Sequence, residues 1–201
     1  MTHSAESLRP EGIYFIALEG LSGTGKTETS KQLASRLSGR FIRLTAGYEQ
    51  PRAVLAHHDY VNARKCLFLS AMMYSSIRVR NELIRGSSVV VDGYIHRTLA
   101  YHDGMGAKAE VLTNGAVLNP DFSFMLTCDE GIRLHRVKRR ARERTVWDEI
   151  ESQNIHEIKS RYLSYGFPQI DTSQLSTDEV VERILAYVRA NPPSSRVLRW
   201  S

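Results

Sequence analysis

The stretch Ile13-Tyr14-Phe15-Ile16-Ala17-Leu18-Glu19-Gly20-Leu21-Ser22-Gly23-Thr24-Gly25-Lys26-Thr27 joins an apolar run to a glycine loop. Six consecutive apolar residues, Ile13 to Leu18, read as a short strand buried on both faces. Gly20 to Thr27 then satisfies G-x-x-x-x-G-K-[ST]. Beyond it Leu33, Ala34 and Leu37 are spaced for one helical face, and Gly39 supplies a stop. Strand, loop and helix in that order are the context a phosphate-binding loop requires. The glycines let successive amides point inward, and the helix N-terminus adds its positive dipole end. Gly20, Ser22, Gly23, Thr24 and Gly25 are thus candidate phosphate-cradling residues, Lys26 reaches for β- and γ-phosphates, and Thr27 places a hydroxyl on Mg²⁺.

Outward from this unit the same alternation continues. Phe41 to Thr45 reads as a second strand, Ala46 to Tyr60 as mostly loop, and Ala63 to Arg85 as a long helix. Leu67, Ala71, Tyr74 and Val79 are among that helix's apolar positions, and Gly86 ends it. Ser88 to Val91 is a third buried strand, Arg97 to His102 opens a helix, and Asp103 to Gly106 is a glycine loop. Phe122 to Thr127 is a fourth strand, Gly131 to Arg144 a very basic helix or lid, and Trp147 to Tyr165 a helical stretch. A short fifth strand covers Gln169 to Asp171. Ser176-Thr177-Asp178-Glu179 is a capping box opening a last helix, with Val180, Ile184, Leu185 and Val188 on its buried face. The alternation predicts a three-layer α/β fold, a five-stranded mainly parallel sheet flanked by helices, with ligands at the strands' carboxyl ends.

A chain of 201 residues, 42% hydrophobic and 24% charged, reads as one domain over 1–201, with tails at 1–11 and 191–201 and a lid over 131–150. That composition excludes a disordered chain, a collagen-like fibre and a disulfide scaffold. The net charge of +5 asks for an anionic partner. Cys66 and Cys128 are far apart in apolar stretches, which predicts buried free thiols in a reducing compartment. Met1 to Glu11 is polar, and no apolar run approaches the roughly 20 residues of a membrane helix, so the expectation is a cytoplasmic protein without a membrane segment.

Two acids stand at the predicted carboxyl edge. Asp92 follows three valines, where a carboxylate supports Mg²⁺, and an N-cap or turn role is its alternative. Glu19 enters the loop, either as a base for an attacking hydroxyl or as a carboxylate fixing the loop by hydrogen bonds. Arg133 to Arg144 carries seven basic residues and one acid in twelve. A solvated face or an RNA-binding patch are its simpler readings; beside a phosphate loop, an arginine clamp over ATP is preferred.

With these residues placed, the chain resembles the thymidylate kinase family of nucleoside monophosphate kinases, from Ile13 to about Val188. Ile16 to Gly20 is similar to that family's first strand and loop entry, and Val90 to His102 to its Asp-Arg-Tyr-x-x-Ser-Ser-x-Ala-Tyr-Gln segment. Pro120-Asp121, Leu134 to Arg140, and Ile170-Asp171 match its Pro-Asp, its lid-helix Arg-x-x-x-Arg and its capped final helix. The resemblance implies ATP and Mg²⁺ as cofactors, a small-molecule phosphoryl acceptor, Arg136 and Arg140 closing over ATP, and pairing of two copies through the long helix. Lys26, Glu19, Asp92 and Arg140 are then the candidate catalytic residues.

The departures fall on the acceptor side. Gly93 replaces the arginine of Asp-Arg-Tyr, Ala71-Met72-Met73 replaces Ala-Asp-Arg, Ala46-Gly47-Tyr48 replaces Arg-Glu-Pro, and Ser22 replaces an acid. An acceptor dianion needs compensating charge, so plain thymidylate is not the expected acceptor. Either Arg97, Arg78 or Arg80 holds a monophosphate in another way, or the acceptor is a nucleoside or other small hydroxyl compound and Glu19 is its base. A nucleotide-binding regulatory protein without transfer activity is a third reading. Phe68, Tyr94 and Tyr101 are candidates for stacking a base, with core packing as the alternative for each.

Overall fold

The computed structural model describes residues 12–44, 47–55, 58–108, 116–139, 146–193 and 198, with only the backbone at 58 and 146–148. Arg140, the rest of 140–145 and the segment 1–11 lie outside the described residues.

Strand β1 (Phe15–Glu19) is buried along its whole length and forms the middle of the sheet. It is flanked by β3 (Val89–Asp92) and β4 (Phe122–Thr127), with β2 (Arg40–Ile42) and β5 (Gln169–Asp171) at the edges. The order β2-β3-β1-β4-β5 is parallel throughout, as the buried apolar strands imply. Leu18 pairs with Asp92 on one side and Phe124 on the other, so Glu19 and Asp92 reach the same carboxyl edge. At the opposite edge Asp121 accepts a hydrogen bond from the Phe15 amide at 2.7 Å, starting β1 and β4 together.

Alternate residues face two cores. Ile16, Leu18, Val90, Phe124 and Leu126 pack against helices α1 (Lys26–Arg36) and α8 (Thr177–Ala190). Phe15, Ala17, Val89 and Val91 pack against α3 (Val61–Ile84) and α4 (Ile95–Gly104), and Leu198 also lies on this face. The capping box of α8 is present, Ser176 and Glu179 bonding reciprocally.

Several local expectations are corrected. The segment read as loop contains helix α2 (Glu49–Val54) and a 3₁₀ turn, His58–Tyr60; neither has enough apolar residues to show a period. Tyr74 is half exposed; Leu69, Met72 and Leu83 fill the buried face of α3 instead. The left-handed residue ending α1 is Ser38, φ 49°, and not Gly39, whose lack of a side chain instead admits the Ser88 carbonyl. The basic helix, α5, runs Glu130–Lys138, and the next helical stretch breaks at Asn154 into α6 (Val146–Gln153) and α7 (Ile155–Ser164). Both cysteines are free, yet Cys66 is exposed and Cys128 half-buried, since each lies beside an apolar face and not within it.

Candidate active site

The loop between β1 and α1 is shaped by its own polar groups. Thr24 Oγ1 donates to the Leu21 carbonyl at 2.9 Å, and Lys26 Nζ donates to the same oxygen at 2.7 Å. Gly25 stands at φ 89°, turning the chain into α1, whose first amides face the loop. Thr172 Oγ1, just past β5, lies 3.1 Å from the Thr24 carbonyl and ties the loop to the sheet edge. Thr27 Oγ1 donates to Asp92 Oδ2, so a hydroxyl and a carboxylate meet beside the loop. This oxygen pair suits Mg²⁺, which takes few protein ligands and keeps phosphate and water oxygens. No group of three or more metal-ligating side chains exists among the described residues.

Glu19 is sealed from solvent. Its Oε1 accepts from the Tyr94 amide at 3.0 Å, His96 Nδ1 lies 3.8 Å away, and Oε2 has no hydrogen-bond partner among the described residues. Burial pushes its pKa up to about 7, opposed by the Tyr94 amide and by the charges of Arg97 and Lys26. The carboxyl thus fixes the β3–α4 turn.

On the acceptor side, Gly93 has φ 73°, and a side chain placed there would collide with Cδ of Arg97. The Arg97 guanidinium lies over the Tyr101 ring at 5.4 Å from its centre. Arg64, on the first turn of α3, is 8% exposed and donates to the Arg52 carbonyl at 3.3 Å. Burial, then the charges of Arg52 and Arg97, bring its pKa down to about 9. Arg52, Arg64 and Arg97 therefore converge from α2, α3 and α4. Phe68 lies beneath Arg64, 4.9 Å to the ring centre, and beside His102 at 5.2 Å. Arg78 and Arg80 lie about four helical turns beyond Arg64 and do not join this group.

Two expected roles change. Tyr94 is wholly buried, packed edge-on against Phe15 with its hydroxyl bonded to Ser76, so it belongs to the core and offers no face for stacking. Arg136 donates to the Thr172 hydroxyl at 3.1 Å and the Thr172 carbonyl at 2.9 Å, and Thr172 in turn bonds the Thr24 carbonyl of the phosphate loop. The arginine of α5 that touches the loop is Arg133, whose Nη1 donates to the Ser22 carbonyl at 2.9 Å. Ser22 is also held by Glu151 of α6. Arg52, Arg64 and Glu151 were not singled out from the sequence, and Arg133 was included only as one of the seven basic residues of the expected clamp. Arg64 and Phe68 carry one available signal, a cation four residues before an aromatic on one helix face.

A parallel sheet with a phosphate loop at its central strand, a Thr27–Asp92 oxygen pair and a cation-rich opposite wall defines a P-loop phosphotransferase. Residues 18–184 match the family model described as thymidylate kinase, and the chain belongs to that family. It is 28% identical over 194 residues to a probable thymidylate kinase of Methanocaldococcus jannaschii, covering 89% of this chain and 97% of the relative. It is likewise 28% identical over 210 residues to a thymidylate kinase of Pelobacter propionicus, covering 89% and 94%. The Candida albicans thymidylate kinase structure superposes with a TM-score of 0.72 at 17% identity, covering 96% of this chain and 99% of that one. The protein is thus an ATP-dependent nucleotide kinase. The expectation against plain thymidylate gains no support from these relatives. No helix among the described residues is long and apolar enough to cross a membrane.

Proposed function

We propose that the chain moves the γ-phosphoryl of ATP to thymidylate or a closely similar nucleoside monophosphate. The observation that carries this reading is Arg97 folded back over Gly93, which returns a guanidinium to the place where the family's arginine is missing. With Arg64 and Arg52 behind it, the acceptor wall has the charge that a phosphate dianion needs in a partly closed site. Phe68 and Tyr101 supply aromatic surface beside these cations.

In this reading the loop amides and Lys26 hold the β- and γ-phosphates of ATP, with Lys26 exchanging the Leu21 carbonyl for phosphate oxygen. Thr27 and Asp92 hold Mg²⁺, which when bound screens the charge developing between donor and acceptor. Arg97 brings the acceptor phosphate towards the loop, and Arg133 adds a charge at its rim. Arg140 remains a candidate for the same work. ATP as donor and two free cysteines fit a cytoplasmic enzyme. Pairing of two copies goes with this reading too, since Tyr74, Ile77 and Ile84 of α3 are exposed apolar residues; sedimentation equilibrium tests it.

A second reading rests on Glu19. A phosphate oxygen is already anionic, whereas a hydroxyl gains from a buried carboxylate with a pKa near 7, as a nucleoside kinase would use it. ADP formation measured with no acceptor, with thymidylate and other monophosphates, and with the matching nucleosides separates the two. Stimulation by thymidylate is the expected result. Stimulation by nucleosides alone transfers the role to Glu19, and stimulation by neither removes both readings.

A further inference from the structure

Ser22 lies 129 residues from Glu151, yet both of its donors end on that carboxylate. The Ser22 amide donates to Oε1 at 3.3 Å and the hydroxyl to Oε2 at 2.9 Å. Arg133 Nη1 completes the group, donating to the Ser22 carbonyl at 2.9 Å and lying 3.5 Å from Glu151 Oε1. One residue of the phosphate loop thus has its N–H, O–H and C=O engaged by α5 and α6. Glu151 is 7% exposed and Arg133 is 4% exposed. Charges so far removed from water persist only with well-made partners. The rest of the Arg133 fork is held by Glu130, at 3.1 Å to Nε and 2.6 Å to Nη2, and Glu130 in turn takes Lys159 at 3.1 Å. The backbone permits this approach because residue 23 is glycine: a Cβ there would stand 2.8 Å from the Arg133 carbonyl and 3.0 Å from its Cγ.

We infer that Glu151 is a positioning residue for phosphoryl transfer, holding the Ser22 segment of the loop and the Arg133 guanidinium in one fixed relation. The inference rests on the kinase reading above. A guanidinium at the loop rim helps where charge develops only if its direction is set beforehand. Glu130 holds Nε and Nη2 of Arg133, and Glu151 supplies the opposing charge beside Nη1, the nitrogen that donates to the loop. The Ser22 amide is directed by the same carboxylate, so the curl of Gly20 to Gly25 and the cation above it are set together.

The test is steady-state kinetics of Glu151→Gln, Arg133→Met and the double variant, with ATP and the best acceptor, beside wild type. Gln keeps the size and an acceptor for Ser22 but removes the charge facing Arg133. The expected result is a kcat about tenfold lower at an ATP KM within about twofold, and no further fall in kcat when Glu151→Gln is added to Arg133→Met. An unchanged kcat, or losses that multiply in the double variant, overturns the inference. Ser22→Ala, which removes one bond and leaves both buried charges, keeps the test decisive if Glu151→Gln does not fold. It should lower kcat about threefold at constant ATP KM, and unchanged kcat counts against Glu151. A wild-type enzyme idle with every acceptor sinks the kinase reading as well, whereas an active wild type with unaffected variants sinks only this role.

Discussion

The side chain of Arg97 occupies the space over Gly93 that a side chain at residue 93 would need. The two positions are four residues apart, Gly93 just past β3 and Arg97 on the first turn of α4, so a guanidinium from the helix reaches back to the end of the strand. This exchange bears directly on how the acceptor is held.

Arg97→Gln is expected to lower kcat/KM for a monophosphate acceptor by about 10- to 100-fold, the loss of one or two charge-assisted hydrogen bonds, while ATP KM stays constant. Initial rates over a matrix of both substrates check it. An equal loss for nucleoside acceptors would move Arg97 away from the phosphate.

Gly93→Arg should fail alone. Residue 93 has φ 73°, a conformation that costs a side chain roughly 1–2 kcal/mol, and its Cβ meets Arg97. The pair Gly93→Arg with Arg97→Ser removes the collision and should recover acceptor use relative to either single change. Thermal melts with acceptor titrations decide it.

Lys26→Ala should reduce turnover by orders of magnitude and shift the melting temperature by only a few degrees. The lysine donates to a loop carbonyl, a contact of small net worth, whereas its charge is needed where phosphoryl charge develops. Turnover near wild type would remove the phosphate-loop mechanism.

Tyr94→Phe is expected to lower stability by about 1 kcal/mol, the net worth of a buried hydroxyl bond, and to leave acceptor KM unchanged. Chemical denaturation and kinetics on the same preparation test both halves. A raised acceptor KM would return Tyr94 to the substrate site.

Stability should depend on Glu19 with a definite sign. Its folded pKa is about 7 against an ordinary 4.5, so the folded state binds more protons between these values. By linkage, its contribution to stability is full below about pH 4.5 and declines as pH rises through 7, by on the order of 1–3 kcal/mol. His96 and His102, held by burial near 4, act in the opposite direction between about pH 4 and 6.5. The difference in unfolding free energy between His96→Asn and His96→Asn with Glu19→Gln, followed from pH 5 to 8, cancels His102 and removes His96, which lies 3.8 Å from the carboxylate. A difference that does not fall with rising pH rejects the buried carboxyl as its source.

The strands, the phosphate loop and α8 could be read from residues 13–27, 89–92, 122–127 and 176–188 because each rests on local pattern: continuous burial, glycine spacing, a reciprocal cap. Helix α2 could not, since none of its residues is buried and it lacks a one-sided apolar face. Tyr94 and Tyr101 look alike in sequence, yet one is in the core and the other beneath Arg97, because Tyr94 precedes α4 and packs on Phe15 of β1 whereas Tyr101 lies within the helix and faces Arg97 and Tyr162.

Among site residues the division follows chain distance. Gly20 to Thr27, Glu19 and Asp92 lie on strand ends whose direction is set by the strands themselves, so their meeting at one sheet edge follows from parallel pairing. The Arg52–Arg64–Arg97 wall and the Ser22–Glu151–Arg133 group join side chains from separate helices, across 12 to 129 residues. No periodicity records such encounters. They depend on how α3 to α6 pack, which is decided by the burial of apolar faces elsewhere in those helices and only then brings the charges together, with α2 tied to α3 through the Arg52 carbonyl.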